Sequence, residues 1–142
     1  MKVAIVNGPN LGTLGRRQPH IYGNRDWDQI FEALRQRFKD CTLVYFQSNH
    51  EGAVIDYIED LAAQGVEGLV INPGAWTHQS YAIRDALAAL SIPVIEVHIS
   101  NIYAREDFRS HSLIAPVVTA QVSGFGAEGY LLAVFYLCEA RL

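Results

Sequence analysis

Glu96 and His98 stand two positions apart in the run Pro93-Val94-Ile95-Glu96-Val97-His98-Ile99-Ser100-Asn101. The β-branched residues around them make this a buried strand. Residues two apart on a strand share a face. A carboxylate beside an imidazole orients the ring and supports a proton on it, which is what a general acid needs. A satisfied polar pair inside the core is the competing reading. Tyr22 offers the complementary chemistry. It lies in Arg16-Arg17-Gln18-Pro19-His20-Ile21-Tyr22-Gly23, where two guanidinium groups would favour a phenolate, and so a base. The plain alternative is a loop aromatic packed on the surface. Arg84 and Arg109 are further candidates for an anion, or else solvated arginines.

These residues need elements to position them. Three hydrophobic runs each lead into a polar cluster: Val3–Val6 into Asn7-Gly8-Pro9-Asn10, Leu69–Ile71 into Asn72-Pro73-Gly74-Ala75-Trp76-Thr77-His78, and Val94–Val97 into His98 to Asn101. In an open α/β sheet, ligands bind outside the carboxyl ends of the strands. One active edge built from three strand ends is therefore expected.

The order of elements supports this. Residues 7–25 carry Gly8, Gly12, Gly15, Gly23, Pro9 and Pro19, and read as a long irregular segment. Connections that long are usually functional, and a mobile lid over about 12–23 is expected. Asp26 reads as the N-cap of a helix to Arg37, with Trp27, Ile30, Phe31, Leu34 and Phe38 at helical spacing. A strand follows at Thr42–Phe46. Ser48-x-x-Glu51 predicts a capping box for a helix ended by Gly65. Then come a strand at Leu69–Ile71, a helix from Ser80 to Leu90, a strand at Pro93–His98, a strand at Val117–Val122 and a helix from Tyr130 to Glu139. Alternating β and α with short gaps implies a parallel sheet covered on both faces. Right-handed crossovers favour a flavodoxin-like three-layer α/β sandwich with a five-stranded parallel sheet, in one domain spanning 1–142.

Composition narrows the function. The 142 residues are 50% hydrophobic and 18% charged, with a formal net charge of −4. That excludes disorder and gives no basic surface for nucleic acid or membrane. The first residues read as a strand rather than a leader, no apolar run reaches membrane length, and the cytoplasm is the expected compartment. Gly8 to Gly15 matches neither a phosphate loop nor G-x-G-x-x-G, and Asn7 stands where a phospho-receiver needs acid. The histidines form no metal-ligand spacing, so no metal is expected. Cys41 and Cys138 read as isolated reduced thiols. Lys2 and Lys39 are the only lysines. Neither is placed for a Schiff base.

Taken together, the ordered motifs resemble the type II 3-dehydroquinate dehydratases. They run from Asn7-Gly-Pro-Asn-Leu11, Gly15-Arg-Arg-Gln-Pro19 and Tyr22-Gly23, through Gln47-Ser-Asn-His-Glu-Gly52, Ile71-Asn-Pro-Gly-Ala75, Thr77-His78 and Ala82-Ile-Arg-Asp-Ala86, to Ile95–Asn101, Ala104-Arg-Glu, Phe108-Arg109, His111-Ser112 and Gly129-Tyr130. The resemblance covers essentially the whole chain. It implies dehydration of 3-dehydroquinate to 3-dehydroshikimate through an enolate, in shikimate biosynthesis or quinate breakdown, without cofactor. It implies Tyr22 as base, Arg17 as its activator, Asn10 holding a water against the enolate oxygen, and His98, oriented by Glu96, as acid. Asn72 and the amides of Ile99 and Ser100 would hold the substrate carboxylate. His78, Arg109 and Asp85 would meet its hydroxyls, with Asp85 coming from a neighbouring subunit of a homo-dodecamer built from trimers. Gly12-Thr13, Gln18 and Trp76 depart from the family pattern near the lid and rim. A non-catalytic carboxylate-binding module on the same scaffold is the alternative class.

Overall fold

The computed structural model describes residues 1–16 and 18–140. Five parallel strands form one sheet: β1 (Lys2–Asn7), β2 (Thr42–Gln47), β3 (Gly68–Asn72), β4 (Val94–His98) and β5 (Ala120–Ser123), in the order β2-β1-β3-β4-β5. This is the flavodoxin-like order. Between them lie a short α1 (Pro19–Tyr22), α2 (Trp27–Arg37), α3 (Glu51–Glu59), α4 (Tyr81–Ala88) and the last helix, α5 (Glu128–Cys138).

Alternation along β1 shows how the layers form. Val3 and Ile5 pack against Ile30 and Leu34 of α2 and Ala133, Val134 and Leu137 of α5. Ala4 and Val6 pack against Val54 and Ile58 of α3 and Ile83 and Leu87 of α4. Both faces of a central parallel strand are thus buried, and so its sequence is apolar throughout. The helices start where side chains can satisfy their free N–H groups. The Asp26 carboxylate accepts from Gln29 N while the Gln29 side chain accepts from Asp26 N. Ser80 Oγ accepts from Ile83 N.

Several expectations need correction. Ser48 forms no capping box, because α3 starts at Glu51 with His50 as N-cap; Ser48 Oγ instead accepts from His50 N in a local turn. The helix ends at Glu59, and turns carry the chain to Gly65 at a φ of +72°. The fifth strand begins at Ala120, not Val117. Pro116 cannot donate to a ladder, and Ala115–Val117 form a 3₁₀ turn beside the fully buried Ile114. Residues 7–25 are not irregular throughout. Leu11 opens a 3₁₀ turn, and it and Leu14 are buried in the core, while Tyr22 closes α1. Cys41 and Cys138 are free but not isolated. They are hydrogen-bonded neighbours, and burial, then Cys41, pushes the Cys138 thiol up to about 12. Among the described residues no helix is long and apolar enough to cross a membrane.

β1 and β3 are in register from Val3↔Gly68 to Asn7↔Asn72, and Gly8 N extends the ladder to Asn72 O at 2.8 Å. A Cβ on Gly8 would sit 2.7 Å from Pro73 O. Backbone cannot yield cheaply at that distance. Gly8→Ala should therefore cost about 1–3 kcal/mol, the range for overpacking, and lower the midpoint of denaturant unfolding. An unchanged midpoint would show that the two strand ends can separate freely.

Candidate active site

The strand order reverses between β1 and β3, since β1 leads outward to β2 and β3 to β4. Crevices at such switch points hold ligands. A pocket opens here, and its walls come from all three expected strand ends. Pro9 and Asn10 follow β1. Asn72, Gly74 and His78 end or follow β3. His98, Ile99 and Ser100 end or follow β4. Tyr22 of α1 lines it too, as do Arg105 and Arg109.

Each wall is held by groups that lie far away in sequence. Asn10 sits in the left-handed region at φ 68°, ψ 0°, a conformation asparagine tolerates better than most residues. Asn49 Oδ1 accepts from Asn10 N at 2.9 Å, and Thr13 Oγ1 donates to Asn10 O at 3.0 Å. Gln47 Nε2 donates to both Asn49 Oδ1 and Gly8 O. The end of β2 therefore braces the loop after β1. Thr13 makes one of these bonds.

Glu96 is 0% exposed and His98 is 5% exposed. His98 Nε2 donates to Glu96 Oε2, and so does Thr77 Oγ1. Ser112 Oγ lies 3.1 Å from the same oxygen and 2.7 Å from Thr77 Oγ1, while accepting from Ala115 N. Burial alone would raise the Glu96 carboxyl, but the hydrogen bond and charge of His98 and the bond from Thr77 outweigh it. The carboxyl stays below its ordinary value of 4.5. With Nε2 committed to Glu96, Nδ1 is the His98 nitrogen left for the pocket.

His78 Nδ1 lies 2.8 Å from His111 O, so Nδ1 carries the hydrogen and Nε2 is left to accept. Partial burial lowers the His78 pKa, and the charges of His98 and Arg109 add to this against the opposing bond to His111. Arg109 Nε donates to Glu106 Oε2 at 2.9 Å, and its guanidinium lies over the Phe108 ring.

Arg105 is the functional residue that sequence reasoning missed. Its Nη1 donates to Tyr22 Oη at 3.0 Å and to Ser100 Oγ at 3.1 Å. Its side chain is 15% exposed. The signal was present as Ala104-Arg-Glu, but no spacing links positions 83 residues apart. Arg17 lies outside the described residues. Asp85 is exposed on α4 and lines a separate groove with Ile55, Ala86 and Leu90. Within one chain it does not line the pocket. Lys2 sits at the opposite end of β1, donating to Gln64 O.

The folded-state pKa of Glu96 lies below the unfolded one. Its carboxylate therefore stabilises the fold above the ordinary glutamate range, and that contribution is lost as pH falls through the folded value. Glu96→Gln should cost about 1–3 kcal/mol at neutral pH, the range for a disrupted buried charged bond. Melting curves of variant and parent should converge below pH 4.5. A constant difference across the acid range would mean that Glu96 is not held as a carboxylate.

The pocket combines a phenol held by a guanidinium with a carboxylate-backed imidazole, and the chain as a whole is similar to known proteins. The profile described as "Dehydroquinase class II" matches residues 1–138. The chain is 49% identical over 140 residues to "3-dehydroquinate dehydratase" of Caldicellulosiruptor saccharolyticus, covering 97% of each chain. It is 51% identical over 144 residues to the protein of the same name from Bacillus subtilis, covering 96% of this chain and 93% of that one. The crystal structure of type II dehydroquinase from Butyrivibrio crossotus superposes with a TM-score of 0.94 at 48% identity, over 96% of this chain and 97% of that one. On this match of sequence and fold over nearly its whole length, the chain belongs to the class II dehydroquinase family.

Proposed function

We propose that the protein dehydrates 3-dehydroquinate to 3-dehydroshikimate through an enolate. The observation that carries this is the placement of Tyr22, and of His98 backed by Glu96, on one pocket, as candidates for base and acid. Tyr22, as phenolate, takes the proton beside the substrate ketone. The Arg105 guanidinium at 3.0 Å offsets the phenolate charge, and Arg17 is assigned the same task by the family pattern. As the C–H electrons move into the carbonyl, negative charge grows on its oxygen. Asn10, with its backbone clamped by Asn49 and Thr13, holds a water there as donor. The enolate then reforms the ketone and expels the hydroxyl. His98 Nδ1 protonates the leaving oxygen, which departs as water; Tyr22 then releases the abstracted proton to solvent and His98 regains one from solvent, which restores both groups for the next turnover.

The remaining groups fit binding roles. Asn72 and the amides of Ile99 and Ser100 receive the carboxylate. His78 Nε2 accepts from a hydroxyl, and Arg109 donates to another. Among the described residues no group of three or more His, Cys, Asp and Glu could hold a metal, and the proposed steps need none.

An oligomer is part of the proposal. The apolar groove between α3 and α4 carries Asp85 on its edge. The outer side of α5 leaves Leu131, Leu132, Phe135 and Tyr136 between 36% and 49% exposed. Exposed apolar surface of this kind favours association with further copies. We read it as supporting a homo-oligomer, a dodecamer of four trimers, with Asp85 reaching a neighbour's pocket.

Growth of enone absorbance with 3-dehydroquinate tests the reaction directly. Its absence alongside tight binding would favour a carboxylate-binding module. Tyr22→Phe should lower kcat by about 10²–10⁴, the share a general base supplies, while substrate still binds. Near-normal turnover would remove Tyr22 from the mechanism. For the shared site, Asp85→Ala chains mixed with Tyr22→Phe chains should regain activity, because some mixed sites carry both native groups. If mixed oligomers form and stay inactive, each site is built within one chain.

A further inference from the structure

Gly129-Tyr130 is a motif to which the chemistry above gives no role. Tyr130 heads the largest fully buried side chains, at 0% exposure. Its hydroxyl ends beneath the carboxyl ends of β1 and β3, 2.7 Å from Asn7 Oδ1 and 2.8 Å from Asn72 Nδ2. α5 comes this close to the sheet because residue 129 has no side chain. A Cβ there would already meet Val97 Cγ1 at 3.2 Å.

The direction of every bond in this cluster follows from one backbone group. Gly74 N–H can only donate, and Asn72 Oδ1 accepts it at 3.1 Å. That leaves Asn72 Nδ2 facing Tyr130. Nδ2 can only donate as well, so the Tyr130 oxygen must accept. Its single hydrogen then goes to Asn7 Oδ1, which turns Asn7 Nδ2 toward Tyr45 Oη at 3.5 Å. Burial pushes the Tyr130 pKa further up, so the hydroxyl keeps that hydrogen at physiological pH. The Asn72 amide is thus gripped at both ends, its oxygen by Gly74 and one of its two Nδ2 hydrogens by Tyr130.

We propose that Tyr130 is a positioning residue, which fixes the Asn72 amide so that its second N–H stands in the pocket as a donor to the substrate carboxylate. The proposal rests on the dehydratase reading above for the identity of that carboxylate. Tyr130 touches no substrate and acts only through Asn72. Because a carboxylate contact is made equally in ground and transition states, losing it raises KM and spares kcat.

The test is Tyr130→Phe, which keeps the ring and removes the hydroxyl. KM for 3-dehydroquinate should rise about tenfold, the scale of one charge-assisted hydrogen bond, with kcat nearly unchanged. On an Asn72→Ala background the same substitution should add nothing. A merely structural role would lower the melting temperature and the active fraction but leave KM alone. An unchanged KM, or a KM effect that persists without Asn72, overturns the proposal. Should the Phe variant not fold, Asn7→Ala removes the hydroxyl's acceptor while keeping the ring. It should raise KM by a smaller factor that also vanishes without Asn72; no rise overturns the proposal. Wild-type turnover separates the two readings, since its absence rejects the dehydratase and not the clamp. In that event the Asn72 side-chain amide is read by NMR on ¹⁵N-labelled protein. Tyr130→Phe should shift its pair of signals and speed their exchange with water, and an unchanged pair rejects the clamp.

Discussion

A carboxylate in the middle of a buried strand is the constraint around which the rest of this site is arranged. Glu96 has neighbours in the sheet on both sides and no exposure. Removing such a charge from water is costly unless donors replace the water. The fold supplies them from three places: His98 two residues on, Thr77 from the turn after β3, and Ser112 from the connection before β5. Satisfying Glu96 therefore ties together the segments that wall the pocket. The ring of His98 has one nitrogen locked by this arrangement and presents the other. What folding requires of Glu96 and what the proposed chemistry requires of His98 are met by the same bond.

The opposite wall follows a different logic. Here no charge is buried. Backbone that has left the sheet must find partners for its N–H and C=O groups. Asn10, Gly8 and Gly74 find them in Asn49, Gln47 and Asn72. Amide side chains suit this task because each offers both a donor and an acceptor. The cluster of asparagines that marks the sequence is thus partly scaffold. Asn7 is wholly buried and does not line the pocket. Asn72 is part of this scaffold and also lines the pocket.

Tyr22 and Arg105 meet across the mouth of the pocket from segments that share no secondary structure. One sits at the end of a one-turn helix, the other after the 3₁₀ turn Ile102–Ala104. Their contact depends on how the loop after β4 is strapped down, through Gly124 N to His98 O, Gly126 N to Ile99 O and Ile102 N to Ser123 Oγ. The last strand and its turn thereby set the position of a guanidinium that faces the phenol.

The sequence by itself determined the strand order class, the apolar faces and the three strand ends that form the site. These are written in local pattern: β-branched runs, helical spacing at Trp27, Ile30 and Leu34, and polar clusters at Asn7, Asn72 and His98. The resemblance supplied roles for Tyr22 and Asn10 that spacing alone left open. Local pattern was weakest where tertiary contacts competed. Ser48 looked like a cap and closes a turn. Val117 looked like strand, but the chain first buries Ile114. Cys41 and Cys138 are distant in sequence and adjacent in space. Only the tertiary structure decided that Arg105 reaches Tyr22, that Thr77 and Ser112 hold Glu96, and that Tyr130 lies beneath Asn72. Each of these pairs is joined by the packing of elements rather than by period or turn chemistry. A hydrogen bond needs two groups within about 3 Å, and no spacing along a chain encodes that distance between separate elements.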